Sequence, residues 1–129
     1  ILRPLINKAN EDAGWNFQWD TSESAQFTEY KPGQFYDWHP DMATNTYTDG
    51  NLAGKYRKLS TTLLLNDPDE FEGGTLEFHH NRDQLTVCEQ LDMKGSLVVF
   101  PSFVYHKVNP VTSGVRYSLV TWNCGFPFR

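Results

Sequence analysis

At 129 residues, with 39% hydrophobic and 21% charged side chains, the chain suits one folded domain (1–129) and fits neither a disordered nor a membrane-spanning class. Its longest apolar runs, TTLLLN and SLVVF, are strand-sized and far short of a bilayer span, and no secretory leader pattern is visible. A net charge of −5 argues against a protein that wraps nucleic acid, because phosphate binding needs an excess of Lys and Arg. The first dozen residues place Leu2, Leu5, Ile6 and Ala9 at helical spacing and run out at Gly14, which predicts a short N-terminal amphipathic helix. The chain starts at Ile1 rather than Met, so a missing N-terminal segment is allowed for. Two cysteines, Cys88 and Cys124, are expected as thiols in a cytoplasmic protein, with a single bridge as the alternative.

After Trp15 the pattern changes to strands. AQFTEYK alternates and ends at Pro32-Gly33, and QFYDWHPD follows as a second strand. Residues 42–58 are polar, without a convincing period, and are expected to form a long loop, either a functional lid or an insert with no role. KLSTTLLLND predicts a buried strand, PDEFEGG a turn and TLEFHH a further strand. NRDQL and LDMKG flank a short segment, TVCEQ. SLVVFPS, VYHKVNPV and VRYSLVTWNC predict three more strands, punctuated by Pro101 and by Thr112-Ser113-Gly114. About eight short strands after one helix point to an antiparallel sandwich or barrel.

Side chains two apart in a strand share a face, so His39 and Asp41 point the same way, and Pro40 between them marks a strand end or edge. Alone, the pair is either half of a metal site or ordinary strand polarity. His79 and His80 are adjacent, face opposite ways and read as a surface strand end. His106 sits among valines and must find a partner. If the late strands fold beside the early ones, His39, Asp41 and His106 make two histidines and one carboxylate, the facial set of non-haem Fe(II) oxygenases. Ten residues on, Arg116 shares a face with Ser118, Val120 and Trp122. A buried arginine needs a counter-charge. A ligand carboxylate would supply it, with Ser118 adding a contact; a distant acid such as Glu77 is the alternative.

The order H-x-D, a distal H, then R resembles the 2-oxoglutarate and Fe(II)-dependent dioxygenases. The run Tyr30-x-x-Gly33-Gln34-x-Tyr36-x-x-His39-x-Asp41, with EGGTLEF at 72–78 and FPSFVYHKVNPVTSGVRYSLVTW at 100–122, is similar to their prolyl 4-hydroxylase branch, bacterial and viral members included. The likeness runs from residue 30 to residue 122, with residues 42–58 unmatched. It implies an all-β double-stranded β-helix, a cupin-like jelly roll, carrying a short N-terminal helix. It further implies Fe(II) on His39, Asp41 and His106, and 2-oxoglutarate with its far carboxylate on Arg116. Tyr30, Thr62, Leu64 and Leu76 would line the cosubstrate pocket, Ser118 would assist Arg116, and Trp122 would lie near the mouth, with Trp38 and Asp37 close by. Animal oxygen-sensing relatives use a tyrosine where Leu64 stands, so Arg116 would need help from Ser118 or Thr62. The spacing of ten matches collagen-type enzymes, many of which carry lysine at the Arg116 position.

The activity so implied is oxidative decarboxylation of 2-oxoglutarate to succinate and CO2 by O2, coupled to substrate hydroxylation and supported by ascorbate. Related halogenases have a small residue at the Asp41 position, so a carboxylate there indicates hydroxylation. A prolyl residue in a peptide or protein is the expected target, with a free amino acid or other small molecule as the alternative; nucleic acid and membrane partners are not expected, and the oligomeric state is left open. A non-redox cupin-like metal protein is the rival class, but such sites usually combine three histidines with a glutamate.

Overall fold

The structure is a computed structural model that describes residues 2–42, 46–48, 50–81, 84–88 and 91–128, apart from the side chains of residues 80, 81, 84 and 85. Helix α1 (Leu2–Asp12) comes first. It buries Ile6 and Asn10, and the Asn10 amide ties the helix to the following segment by bonding both backbone groups of Phe17 at 2.9 Å.

Eleven strands follow among the described residues: β1 (Thr21–Ser22), β2 (Gln26–Tyr30), β3 (Tyr36–His39), β4 (Tyr56–Leu64), β5 (Phe71–Gly73), β6 (Leu76–Asn81), β7 (Gln84–Val87), β8 (Leu97–Pro101), β9 (Tyr105–Val108), β10 (Val111–Gly114) and β11 (Arg116–Gly125). The pairings between these strands are all antiparallel. One sheet runs β1-β11-β4-β8, with β2 also on β11; a second runs β3-β9-β6-β7; β5 and β10 form a short pair. β4 is flanked by β11 and β8, so its residues 58–62 are buried. The core cluster of Leu76, Phe78 and Phe100, with Val98, Val104 and Val108 against it, draws on β6, β8 and β9.

Two short strands were not anticipated. β5 lies inside the expected PDEFEGG turn, and β10 covers the expected Thr112-Ser113-Gly114 break. These two pair with each other across a bulge, so partner geometry rather than side-chain alternation makes them strands. The loop at 42–58 also differs from expectation. β4 begins at Tyr56, and Tyr47 and Gly54 exchange backbone bonds with Lys55 and Tyr47 around a turn at Gly50–Leu52. Residues 43–45 and 49 of that loop, and 82–83 and 89–90 of the NRDQL and TVCEQ stretches, lie outside the described residues. Cys88 and Cys124 are thiols and not a disulfide pair. No helix among the described residues is long and apolar enough to cross a membrane.

Candidate metal centre and cosubstrate cavity

A bulge builds the first half of the site. Tyr36 pairs with Val108 and His39 with His106, so three steps along β3 span two along β9. Strict alternation would set Tyr36 and His39 on opposite faces; the extra residue lets both turn inward. Their rings lie 3.8 Å apart, and His39 and His106 face each other at 4.3 Å. Trp38, expected near the mouth, is turned to the outer face against His79 and Lys107 and is not among the cavity's lining residues. Asp37 serves through its backbone. The side chain of His80 is outside the described residues.

His39, Asp41 and His106 bring one ligand atom each to within 4.8 Å of one another. Asp41 Oδ1 lies 3.4 Å from Nε2 of both histidines. Each Nδ1 meets a carbonyl, that of Asp37 at 2.7 Å for His39 and that of Val104 at 2.9 Å for His106. A carbonyl only accepts, so each Nδ1 carries a proton and each Nε2 faces Asp41. Burial opposes a charge on Asp41, but contacts from His106, His39 and Ser60 outweigh it and hold the carboxyl well below its usual range. Burial likewise opposes a cation on His39, yet Asp41 and the Asp37 carbonyl raise its pKa. Phe100 packs edge-on to the His106 ring at 4.7 Å and limits its rotation. Two imidazoles with oriented second nitrogens and one ionised carboxylate suit a divalent transition metal with positions left open.

The same residues border a cavity of about 130 Å³ between the two sheets. Its floor is the inward row of β11, Arg116, Ser118, Val120 and Trp122, paired with Tyr30, Thr28 and Gln26 of β2 on one side and with Leu64, Thr62 and Ser60 of β4 on the other. Tyr30, Thr62, Leu76, Arg116, Ser118 and Trp122 line it. Leu64 does not. Its side chain lines a neighbouring hollow with Gly74, Leu91 and Arg116.

Arg116 is 2% exposed and, among the described residues, has no ion-pair partner. Its NH1 reaches the Ser118 hydroxyl at 3.4 Å, and the Tyr30 ring lies 5.8 Å away. Burial lowers its pKa, partly offset by Tyr30 and Cys88. Glu77 is not its partner: the neighbouring Leu76 and Phe78 turn inward, and Glu77 pairs outside with Lys107 at 3.4 Å and accepts from Asn109 at 2.8 Å. The indole Nε1 of Trp122 is also buried with no hydrogen-bond partner among the described residues. Arg57 covers the Trp122 ring at 3.9 Å and is itself held by Glu23 at 2.7 and 3.2 Å. A buried cation and an orphaned N–H on one cavity suit an anionic, oxygen-rich ligand.

Gly74 explains part of the EGG sequence. A Cβ there would lie 2.9 Å from Arg116 Cδ and 3.0 Å from Val111 Cγ2, at a φ of +65°. Gly74→Ala is therefore expected to destabilise the chain by about 1–2 kcal/mol from the left-handed backbone alone, read as a lower denaturant midpoint at unchanged slope. Tyr36 of the motif and Val120 of the Arg116 face also line the cavity, together with Gln26, Thr28, Phe100 and Val108, which were not singled out from sequence. Thr28 was findable, since it stands two residues before Tyr30 on the same face.

An antiparallel jelly roll with a His-Asp-His set and a buried arginine inside it defines a metal-dependent oxygenase type of protein. The family model of the 2OG-Fe(II) oxygenase superfamily matches residues 25–124, and the chain belongs to that superfamily. It is 38% identical over 96 residues to a PKHD-type hydroxylase of Psychrobacter sp. (strain PRwf-1), covering 74% of this chain and 36% of the relative. It is 36% identical over 95 residues to a PKHD-type hydroxylase of Sphingopyxis alaskensis, covering 74% of this chain and 41% of the relative. The chain thus spans about two-fifths of the length of the curated relatives it matches. Among solved structures, a Pseudomonas putida prolyl-4-hydroxylase superposes with a TM-score of 0.70 at 28% identity, covering 95% of this chain and 62% of that one. The viral collagen prolyl hydroxylase of Paramecium Bursaria Chlorella virus-1 shares the fold, with a TM-score of 0.71 at 18% identity over 98% of this chain and 72% of that one.

Proposed function

We propose that this chain carries the catalytic site of an Fe(II)- and 2-oxoglutarate-dependent hydroxylase acting on a prolyl residue in a peptide or protein. The observation that carries the reading is the buried Arg116 cation, without a counter-charge among the described residues, on the same cavity as His39, Asp41 and His106. In this reading those three residues hold Fe(II). Arg116, with Ser118, holds the far carboxylate of 2-oxoglutarate by paired charge-assisted hydrogen bonds. Tyr30, Thr62 and Leu76 form the walls of its pocket, and the Trp122 N–H donates to a ligand oxygen near the mouth. Bound iron supplies the redox chemistry by which O2 decarboxylates 2-oxoglutarate and hydroxylates the substrate. The chain's own task is to orient the cosubstrate and to exclude water from the reacting centre. Ascorbate is expected to support turnover by keeping iron as Fe(II).

The prolyl target draws support from the likeness to the Pseudomonas putida prolyl-4-hydroxylase. The test is mass spectrometry of proline-containing peptides incubated with the protein, Fe(II), 2-oxoglutarate and ascorbate. The expected product gains one oxygen atom at a proline. Succinate release without oxygen gain on any peptide, but with gain on a free amino acid, would move the substrate to the small-molecule class.

A further inference from the structure

We propose that Ser60, supported by Ser102, is the positioning residue that makes Asp41 present a single oxygen to the metal; this rests on the metal-site reading above. Asp41 needs such a device. It lies beyond the end of β3, after a proline that has no N–H to give to the sheet, so strand pairing does not hold it. Ser60 Oγ donates to Asp41 Oδ2 at 2.6 Å, and Ser60 and Ser102 hydroxyls lie 2.9 Å apart. Ser60 has one proton and an ionised carboxylate only accepts, so the direction is determined: Ser102 donates to Ser60, and Ser60 donates to Asp41. Both serines are fully buried, at 1% and 0% exposed.

Ser102 also grips the backbone. Its carbonyl accepts the N–H groups of Asp41 at 2.8 Å and Met42 at 3.1 Å, while its own N–H donates to Lys58 O at 2.8 Å. The clamp therefore ties β4 and the turn after β8 to Asp41 at both main chain and carboxylate. Oδ2 is taken by Ser60, and Oδ1 is the atom 3.4 Å from both imidazole Nε2 atoms. A carboxylate pinned through one oxygen offers one donor. Released, it can turn about its Cβ–Cγ bond and offer both, taking a position on the ion that the cosubstrate requires.

The experiment titrates Mn(II) into the metal-free full chain by calorimetry and records the visible spectrum of the Co(II)-loaded form, with thermal melts of the metal-free proteins to establish folding. Ser60→Ala is expected to weaken Mn(II) by ~10–100-fold, the usual cost of losing an outer-shell partner, and to change the Co(II) spectrum. Ser60→Thr, which keeps the hydroxyl, is expected to restore both. A folded Ser60→Ala with wild-type affinity and spectrum overturns the proposal, as does a Ser60→Thr that loses as much as Ser60→Ala. If Ser60→Ala does not fold, Ser102→Ala decides: weaker Mn(II) binding supports the clamp, and unchanged binding overturns it. A wild-type chain that binds no Mn(II) overturns the metal reading itself, and the assignment with it.

Discussion

Arg116→Met should give a chain that is at least as stable as the wild type without ligand and nearly unresponsive to 2-oxoglutarate. The arginine is fully buried, and its nearest polar contact among the described residues is a long one to Ser118. Replacing a buried charge by an apolar side chain of similar length is often neutral or stabilising, here by roughly 0–4 kcal/mol. The functional cost is the reverse. Losing a buried charge-assisted contact of about 2–5 kcal/mol should weaken 2-oxoglutarate by ~30-fold or more. The two effects separate in thermal melts with and without 2-oxoglutarate and Mn(II). The wild type should gain stability with ligand by about 2.7 kcal/mol at a hundredfold excess over the dissociation constant, and the variant should gain almost nothing. A variant that melted far below the wild type and bound 2-oxoglutarate normally would show that Arg116 is structural.

Asp41→Ala should remove metal binding more completely than any change around it. It deletes the only carboxylate of the three-residue set. Losing a ligand costs more than losing an outer-shell partner, so Mn(II) affinity should fall by more than ~100-fold and succinate formation should vanish. Fold loss is a separate matter. Removing Asp41 strips Ser60 of its acceptor, but the two serines can still pair with each other. A modest drop in melting temperature with abolished metal binding is the expected combination, measured by calorimetry of the metal-free and titrated protein. Metal binding that survived would place the ligand set elsewhere.

The inward row of β11 could be read from period two alone, because residues 116 to 122 form an unbroken stretch of a long strand. The histidines were harder. The reading of His39 and Asp41 as a pair was sound in which side they face, but the bulge that brings Tyr36 beside His39 leaves no mark in the alternation. Trp38 faces outward, as alternation with His39 requires, and Lys107 and His79 receive it there. Leu64 shows that register alone does not assign a wall: it stands opposite Ser118 of the pocket row, yet its side chain lines the neighbouring hollow. Ser60 and Ser102 were invisible, since two serines 42 residues apart carry no signal until β4 and the turn after β8 are laid side by side. The short pair β5–β10 was lost to its glycines, whose role is close backbone approach: a Cβ on Gly73 would lie 2.3 Å from Pro110 O.

The proposed function puts a metal at the His39, Asp41 and His106 end of the cavity and a dicarboxylate at the Arg116 end. The direct test is succinate formation by the purified protein from 2-oxoglutarate, Fe(II) and air. The account predicts succinate that requires both iron and O2, and that is lost in Asp41→Ala. A well-folded, iron-loaded protein that neither forms succinate nor binds 2-oxoglutarate would contradict it.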